Sequence, residues 1–274
     1  MPPPSLPHPS PMSSPTPAEQ YLDQAEAALT RVRGQLDAIA TAADWCAASI
    51  LAGRVVHLFG SGHSRILVEE MWPRYGSFPG FNPIVELSLT FHNLVVGANG
   101  QRQAMFLENV PGLAARILRN FSLSREDTAL IISSGGTNTV PVEMAEHFQA
   151  AGIRVIALVS ADHAAVSASK RSDGKKLTDF ADLILDTGAP AGDACVPIAG
   201  VAGKVAPLST VGGCAVINAL KAEIAARLSA AGQPPLALAA ANQVGAEKAA
   251  EIFEAAYDEH GRRLAALLAW PDGK

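Results

Sequence analysis

Aromatic side chains make up only 5% of this sequence and charged ones 17%, and cysteine occurs three times. With 49% of residues hydrophobic, an interior poor in rings has to be assembled from Ala, Val, Leu and Ile, which suits a buried parallel sheet flanked by helices. Positive charge is not in excess. The formal net charge is −5, the isoelectric point is near 5.8, and Lys and Arg are scattered, so no basic field would gather nucleic acid or an anionic membrane. Cys46, Cys195 and Cys214 are widely spaced, without a C-x-x-C pair, which argues against a disulfide framework or a structural zinc site and fits a reducing cytoplasm. Clustered His and Cys are lacking too, as is H-x-x-x-H, so no metal and no cofactor is expected. No window of 18 apolar residues runs uninterrupted, which excludes a membrane span of ordinary length. The opening MPPPSLPHPSPMSSPTP, residues 1–17, has neither a basic start nor a continuous apolar stretch, and reads as a disordered tail.

What is present has the rhythm of one α/β domain, 18–274, with its core at about 50–230. Apolar residues at helical spacing from Tyr21 to Ile39 predict a long amphipathic helix over 18–52, closed by Gly53. Short β-branched runs predict five strands, at 54–60, 83–87, 129–132, 153–159 and 181–185. Helical stretches are expected at 65–74, 107–121, 140–151, 164–171, 210–230 and 244–269. Between Asp186 and Thr210 lies a loop of Gly, Ala and Pro, long enough to be functional, with small residues that let backbone approach a ligand or another chain. Parallel strands joined by right-handed crossovers put their C-terminal ends on one side, and there the loops converge.

Two of those loops carry the chemistry. In GSGHS, residues 60–64, glycines permit a tight turn with exposed amides, and Ser61 and Ser64 add hydroxyls beside a helix start. An ordinary capped turn explains such a loop equally well when it stands alone. SSGGTNT, residues 133–139, repeats the arrangement, so the two loops together could supply six or more donors to one phosphate. Neither is a nucleotide fingerprint: no Lys-Ser/Thr pair follows the glycines, and Arg65 stands where a dinucleotide motif has its third glycine.

The strand-loop pair VVHLFGSGHS and ALIISSGGTNT, with APLSTVGGCAVINAL later, resembles the SIS (sugar isomerase) family of phosphosugar isomerases and phosphosugar-binding domains, over roughly residues 20–230. Within it the whole chain, including PPLALAAANQVGAEKAAEIFEAAYDEHGRRL, is similar to a subgroup labelled phosphoheptose isomerase-like. The resemblance implies a three-layer sandwich with a five-stranded parallel sheet, flavodoxin-like, with helices at both ends. It implies that Ser61, Ser64, Ser133, Ser134 and Thr137, with the amides of Gly62, Gly135 and Gly136, bind the phosphate or another tetrahedral anion such as a sulfonate. Ser209 and Thr210 match the segment that closes over the sugar, and Lys204 in the long loop could pair with an anionic group of the substrate.

Aldose–ketose isomerisation, the reaction so implied, needs a base that moves a proton between C1 and C2 and a group that helps ring opening. Glu69 and Glu70 on the helix after GSGHS, and Glu86 near the second strand, are candidate carboxylates; His63 and His92 are candidate imidazoles. Glu69 and Glu70 could equally be an exposed face paired with Arg65 or Arg74. Phosphoheptose isomerases place their Glu-Glu pair about a turn further from the loop serine. They also carry a histidine in the later helix, where this chain has Asn218 and Lys221, leaving the role to His63 or His92. A phosphosugar sensor without turnover, or lyase chemistry on an amino-sugar phosphate, fits the same loops. The resemblance implies a homodimer or tetramer with shared sites, and the first and last helices have apolar stripes that suit such packing.

Overall fold

The computed structural model describes residues 14–90 and 100–269. The tail expected over 1–17 lies outside the described residues up to 13; from there the chain enters helix α1, Pro17–Arg33, through a capping box in which Thr16 and Glu19 satisfy each other's backbone amides. The single helix expected over 18–52 is two. It breaks at Gly34 and resumes as α2, Leu36–Leu51, because the two halves serve different surfaces. Tyr21, Ala25 and Ala28 of α1 pack on Ala189 and Leu208, whereas Ile39, Ala42, Ala43 and Cys46 of α2 enter the main core.

Five parallel strands form the sheet: β1 Val56–Gly60, β2 Phe81–Ile84, β3 Thr128–Ile132, β4 Arg154–Val159 and β5 Leu183–Asp186, in the order β2-β1-β3-β4-β5. The second strand begins earlier than the 83–87 expected, and its Pro83 is tolerated because β2 is an edge. Alternation divides the strand side chains between two layers. Val56, Leu58, Leu130, Ile132 and Leu158 face one core, Phe59, Ile131, Val155 and Ala157 the other.

The first core is roofed by α2, by α3 (Arg65–Met71) and by α9 (Ser209–Ala230); the second by α6 (Leu113–Leu118) and α7 (Thr139–Ala150). The helix expected over 107–121 is interrupted: α5, Gly100–Leu107, ends at its first residue, and Gly112 at φ 82° starts α6. Between β2 and α5 lies the short α4, Leu87–Thr90. The helix expected over 164–171 is shifted to α8, Ala161–Val166, because the Ser160 hydroxyl accepts the His163 amide at 3.2 Å and starts it early. The long loop is not bare: β6 (Ala194–Pro197) and β7 (Lys204–Pro207) pair as an antiparallel hairpin. A short α10, Ala241–Val244, and the long α11, Ala246–Leu268, close the chain. No helix among the described residues is long and apolar enough to cross a membrane.

Two features shape the C-terminal end of the sheet. From β1 the chain crosses to β2 on one side, and from β3 to β4 on the other, so a crevice opens where their C-terminal ends diverge. Close packing then brings α9 to its rim: a Cβ on Gly212 would stand 1.7 Å from the Thr187 carbonyl oxygen, and one on Gly213 2.5 Å from Leu67. At the opposite end of the sheet His57 is buried, its Nε2 3.3 Å from Asp127 and its Nδ1 3.0 Å from the Asn82 amide. Arg54 also reaches Asp127, at 2.9 Å.

Candidate functional site

After β1 the backbone turns through Gly62, at φ 56°, and Ser64 N–H donates to the Ser61 carbonyl at 3.1 Å before α3 begins. After β3 it turns through Gly136, at φ 61°, into α7. Such left-handed turns admit glycine at little cost. Three carbonyls of the second loop are spoken for. Ser134 O accepts from Ser160 N at 2.9 Å, Gly136 O from Leu177 N at 2.8 Å and Thr137 O from Lys170 N at 3.1 Å. The amides of Gly135, Gly136 and Thr137 donate no hydrogen bond among the described residues. Pinned carbonyls and free amides beside the start of a twelve-residue helix form a concave array suited to an oxyanion.

That array opens on a cavity of about 600 Å³. Ser61, Gly62, His63 and Ser64 line it from the first loop, and Ser133, Ser134, Gly135 and Thr137 from the second; Gly136 is buried behind them. Ser61, Ser133 and Thr137 are themselves buried.

The cavity also contains groups that the sequence did not mark. Glu108, half-buried just beyond α5, accepts a hydrogen bond from the Ser61 hydroxyl at 2.9 Å. It is fixed by α7, since Val140 N–H donates to the Glu108 carbonyl at 2.9 Å and Thr139 N–H to the Asn109 side chain at 3.4 Å. Burial pushes the Glu108 carboxyl up from its ordinary value, against the opposing hydrogen bonds from Ser61 and Asn138 and the charge of Lys170. His163 enters from α8 with Nδ1 3.4 Å from the Ser134 hydroxyl, and Lys170 comes from the chain that follows α8. Leu89, Ala104 and Met105 make an apolar wall. A carboxylate with raised proton affinity, two imidazoles and one ammonium beside an oxyanion array can transfer protons on an anionic substrate.

The other predicted residues are distributed around this cavity. Ser209 and Thr210 line a smaller chamber of about 110 Å³, which shares His63, Ser64 and Ser134 with the larger. There Asp193 accepts from the amides of Leu208 and Ser209, at 2.9 and 2.7 Å, and from the Ser209 hydroxyl at 2.8 Å, so this helix start already has its carboxylate. Lys204 is exposed on β7 and lines neither chamber. Glu86 stands at the start of α4, outside both chambers, its carbonyl accepting from Leu89 N–H and the Thr90 hydroxyl. His92 lies outside the described residues.

Glu69 and Glu70 line a different cavity, of about 740 Å³, with Arg74, Tyr75, Phe253 and Tyr257. Leu67, Val68 and Met71 form the buried face of α3, and the helix period turns the two carboxylates away from the loops. Glu69 pairs with Arg65, and Glu70 with Arg74 and, at 2.7 Å, with the Asn218 amide. Burial alone would raise Glu70; the hydrogen bonds from Asn218 and Arg74 and the charges of Arg74 and Lys221 outweigh it and hold the carboxyl below its ordinary value. Lys221, buried on α9, donates to the Glu70 carbonyl at 2.6 Å.

Comparison with known proteins gives a family and a set of similar folds. The SIS domain profile matches residues 20–160. A UPF0309 protein of Brucella anthropi is 32% identical over 247 residues, covering 90% of this chain and 98% of that protein. Among solved structures, a phosphoheptose isomerase from Francisella tularensis aligns over 74% of this chain and 94% of its own, with 16% identity and a TM-score of 0.48. The sugar isomerase domain of an RpiR transcription factor from Sphaerobacter thermophilus aligns over 88% and 98%, with 17% identity and a TM-score of 0.45.

Proposed function

The chain belongs to the SIS domain family, and on that footing we propose that it is a sugar-phosphate isomerase in which the loops after β1 and β3 hold the anion and Glu108 is the base. The observation that carries this reading is the hydrogen bond from Ser61, an anion-loop hydroxyl, to a half-buried carboxylate whose proton affinity burial has raised. A base in that condition is suited to moving a proton between C1 and C2 near neutral pH. His63 and His163 line the same cavity and serve ring opening and the exchange of protons between oxygens.

Ser61, Ser64, Ser133, Ser134 and Thr137, with the amides of Gly62, Gly135 and Gly136, are the proposed anion ligands, and Lys170 adds a cation that Lys204, exposed on its hairpin, is not placed to supply. Ser209 and Thr210 reach the far end of the substrate through the smaller chamber. In this reading Glu69 and Glu70 brace α3 against α9. The work takes place in the cytoplasm, and copies associate through the exposed Ile66, Phe253 and Tyr257 into a dimer or tetramer, which sedimentation at micromolar concentration would test.

The deciding experiment incubates the protein with aldose phosphates in heavy water and follows deuterium entry at C2. Exchange that Glu108→Gln abolishes is the expected result. No exchange across hexose, heptose and hexosamine phosphates would sink the isomerase. Thermal stabilisation by those compounds without product would then identify a sensor, and release of the ether-linked group from an amino-sugar phosphate that carries one would identify a lyase.

A further inference from the structure

Ser61 belongs to the anion array and is also the donor to Glu108. An incoming oxyanion and the carboxylate therefore compete for one hydroxyl. Among the described residues lining the cavity, Glu108 is the sole carboxylate. The groups facing it are neutral or basic: Gln101 from α5, Asn138 from the start of α7, His63 from the first loop, His163 from α8, and Lys170 from the segment beyond. Two anions in so confined a space repel unless one moves or is neutralised.

Resting on the anion-loop reading above, we propose that the bound anion takes the Ser61 hydroxyl and the Lys170 ammonium away from Glu108, and that this exchange leaves Glu108 a stronger base at the moment substrate arrives. Without ligand, hydroxyl and ammonium both favour the ionised carboxylate. When the anion claims them, that support is withdrawn and a negative charge is added, and each change favours the protonated form. By linkage the protein then takes up part of a proton from solvent on binding, and the anion binds more tightly as pH falls through the Glu108 titration. The free protein keeps its base quiet, and the substrate's charged end arms it.

Sulfate is the probe, because it remains a dianion throughout. Isotope-edited carbon NMR follows the glutamate carboxyls from about pH 4 to 8, spanning the carboxylate and imidazole ranges, with the Glu108 signal assigned by its loss in Glu108→Gln. With saturating sulfate the Glu108 midpoint should rise by about one unit or more. Lys170→Met, a change at an exposed position, should raise the midpoint without sulfate and shrink the shift that sulfate adds. Glu108→Gln, checked for native folding by circular dichroism, should bind sulfate roughly tenfold more tightly at the alkaline end, with the Glu108 contribution to the pH dependence gone. A midpoint that sulfate leaves in place or lowers overturns the exchange while the anion loops stand. Failure of sulfate to saturate the protein, with Ser134→Ala no different, overturns the anion loops and the exchange together.

Discussion

Glu70 and Glu108 are the same residue type in one chain, and their surroundings drive them in opposite directions. Glu70 sits among Arg74, Asn218 and Lys221, and its proton affinity is lowered. Glu108 has a hydroxyl for its nearest partner, is more deeply buried, and its proton affinity is raised. A carboxylate braced by cations stabilises a fold and makes a poor base at neutral pH. One held by a hydroxyl against burial costs stability and keeps its basicity. The residue to suspect of chemistry is therefore the less well partnered of the two.

The sharpest way to break this comparison is to neutralise each carboxylate in turn. Glu108→Gln should lower C2 exchange by about 10²–10⁴-fold, the range for a positioned acid–base group, while Glu70→Gln leaves it within about threefold. The reverse ranking would return the catalytic role to α3. Next in size is the anion array: a hydrogen bond to a charged group contributes about 1.5–3 kcal/mol, so Ser61→Ala with Ser134→Ala should weaken calorimetric binding of a sugar phosphate by at least about a hundredfold.

The α3 cluster should respond in stability instead. Lys221→Met keeps the buried stem but leaves the Glu70 carbonyl without its donor, a loss of about 1–3 kcal/mol readable by urea denaturation, with C2 exchange per folded molecule unchanged. The smallest effect is a separation of two acid limbs. Because the Glu108 carboxyl is raised, kcat/KM should fall at a pH above the ordinary carboxylate value of about 4.3. The stabilisation from Glu70, whose folded value is lowered, is fully present above that value and is lost only as pH falls through the lower one. Activity should thus disappear on acidification before this part of the fold weakens, and coincident limbs in rate and circular dichroism would contradict the assignment.

The sheet and its two loops were legible because local signals agree there: β-branched runs end in Gly and Ser, and a helix period follows. Glu108 was hidden because 107–121 reads as one helix, whereas the chain breaks at Gly112 and carries the carboxylate just past the end of α5. A carboxylate at a helix C-terminus opposes the helix dipole, and that local conflict is the signal that could have exposed it. Lys170 was missed for a related reason: SASKRSDG has the composition of a turn, but it follows an apolar stretch that made it look helical. With Glu69 and Glu70 the difficulty was geometric. Nearness to GSGHS along the chain says nothing about which way a helix turns its side chains, and that depends on the face that Leu67, Val68 and Met71 bury.

Gly212 and Gly213 let α9 approach the Thr187 carbonyl and Leu67 so closely that a side chain has nowhere to go. In a saturation mutagenesis screen these two positions should be as intolerant as the loop serines, though neither lines a chamber. A methyl group at 212 would lift the first turn of α9, and Ser209 and Thr210 with it, so the lost phenotype would mimic a binding defect. Among natural variants, an alanine there is one that sequence similarity scores as mild and this packing makes severe.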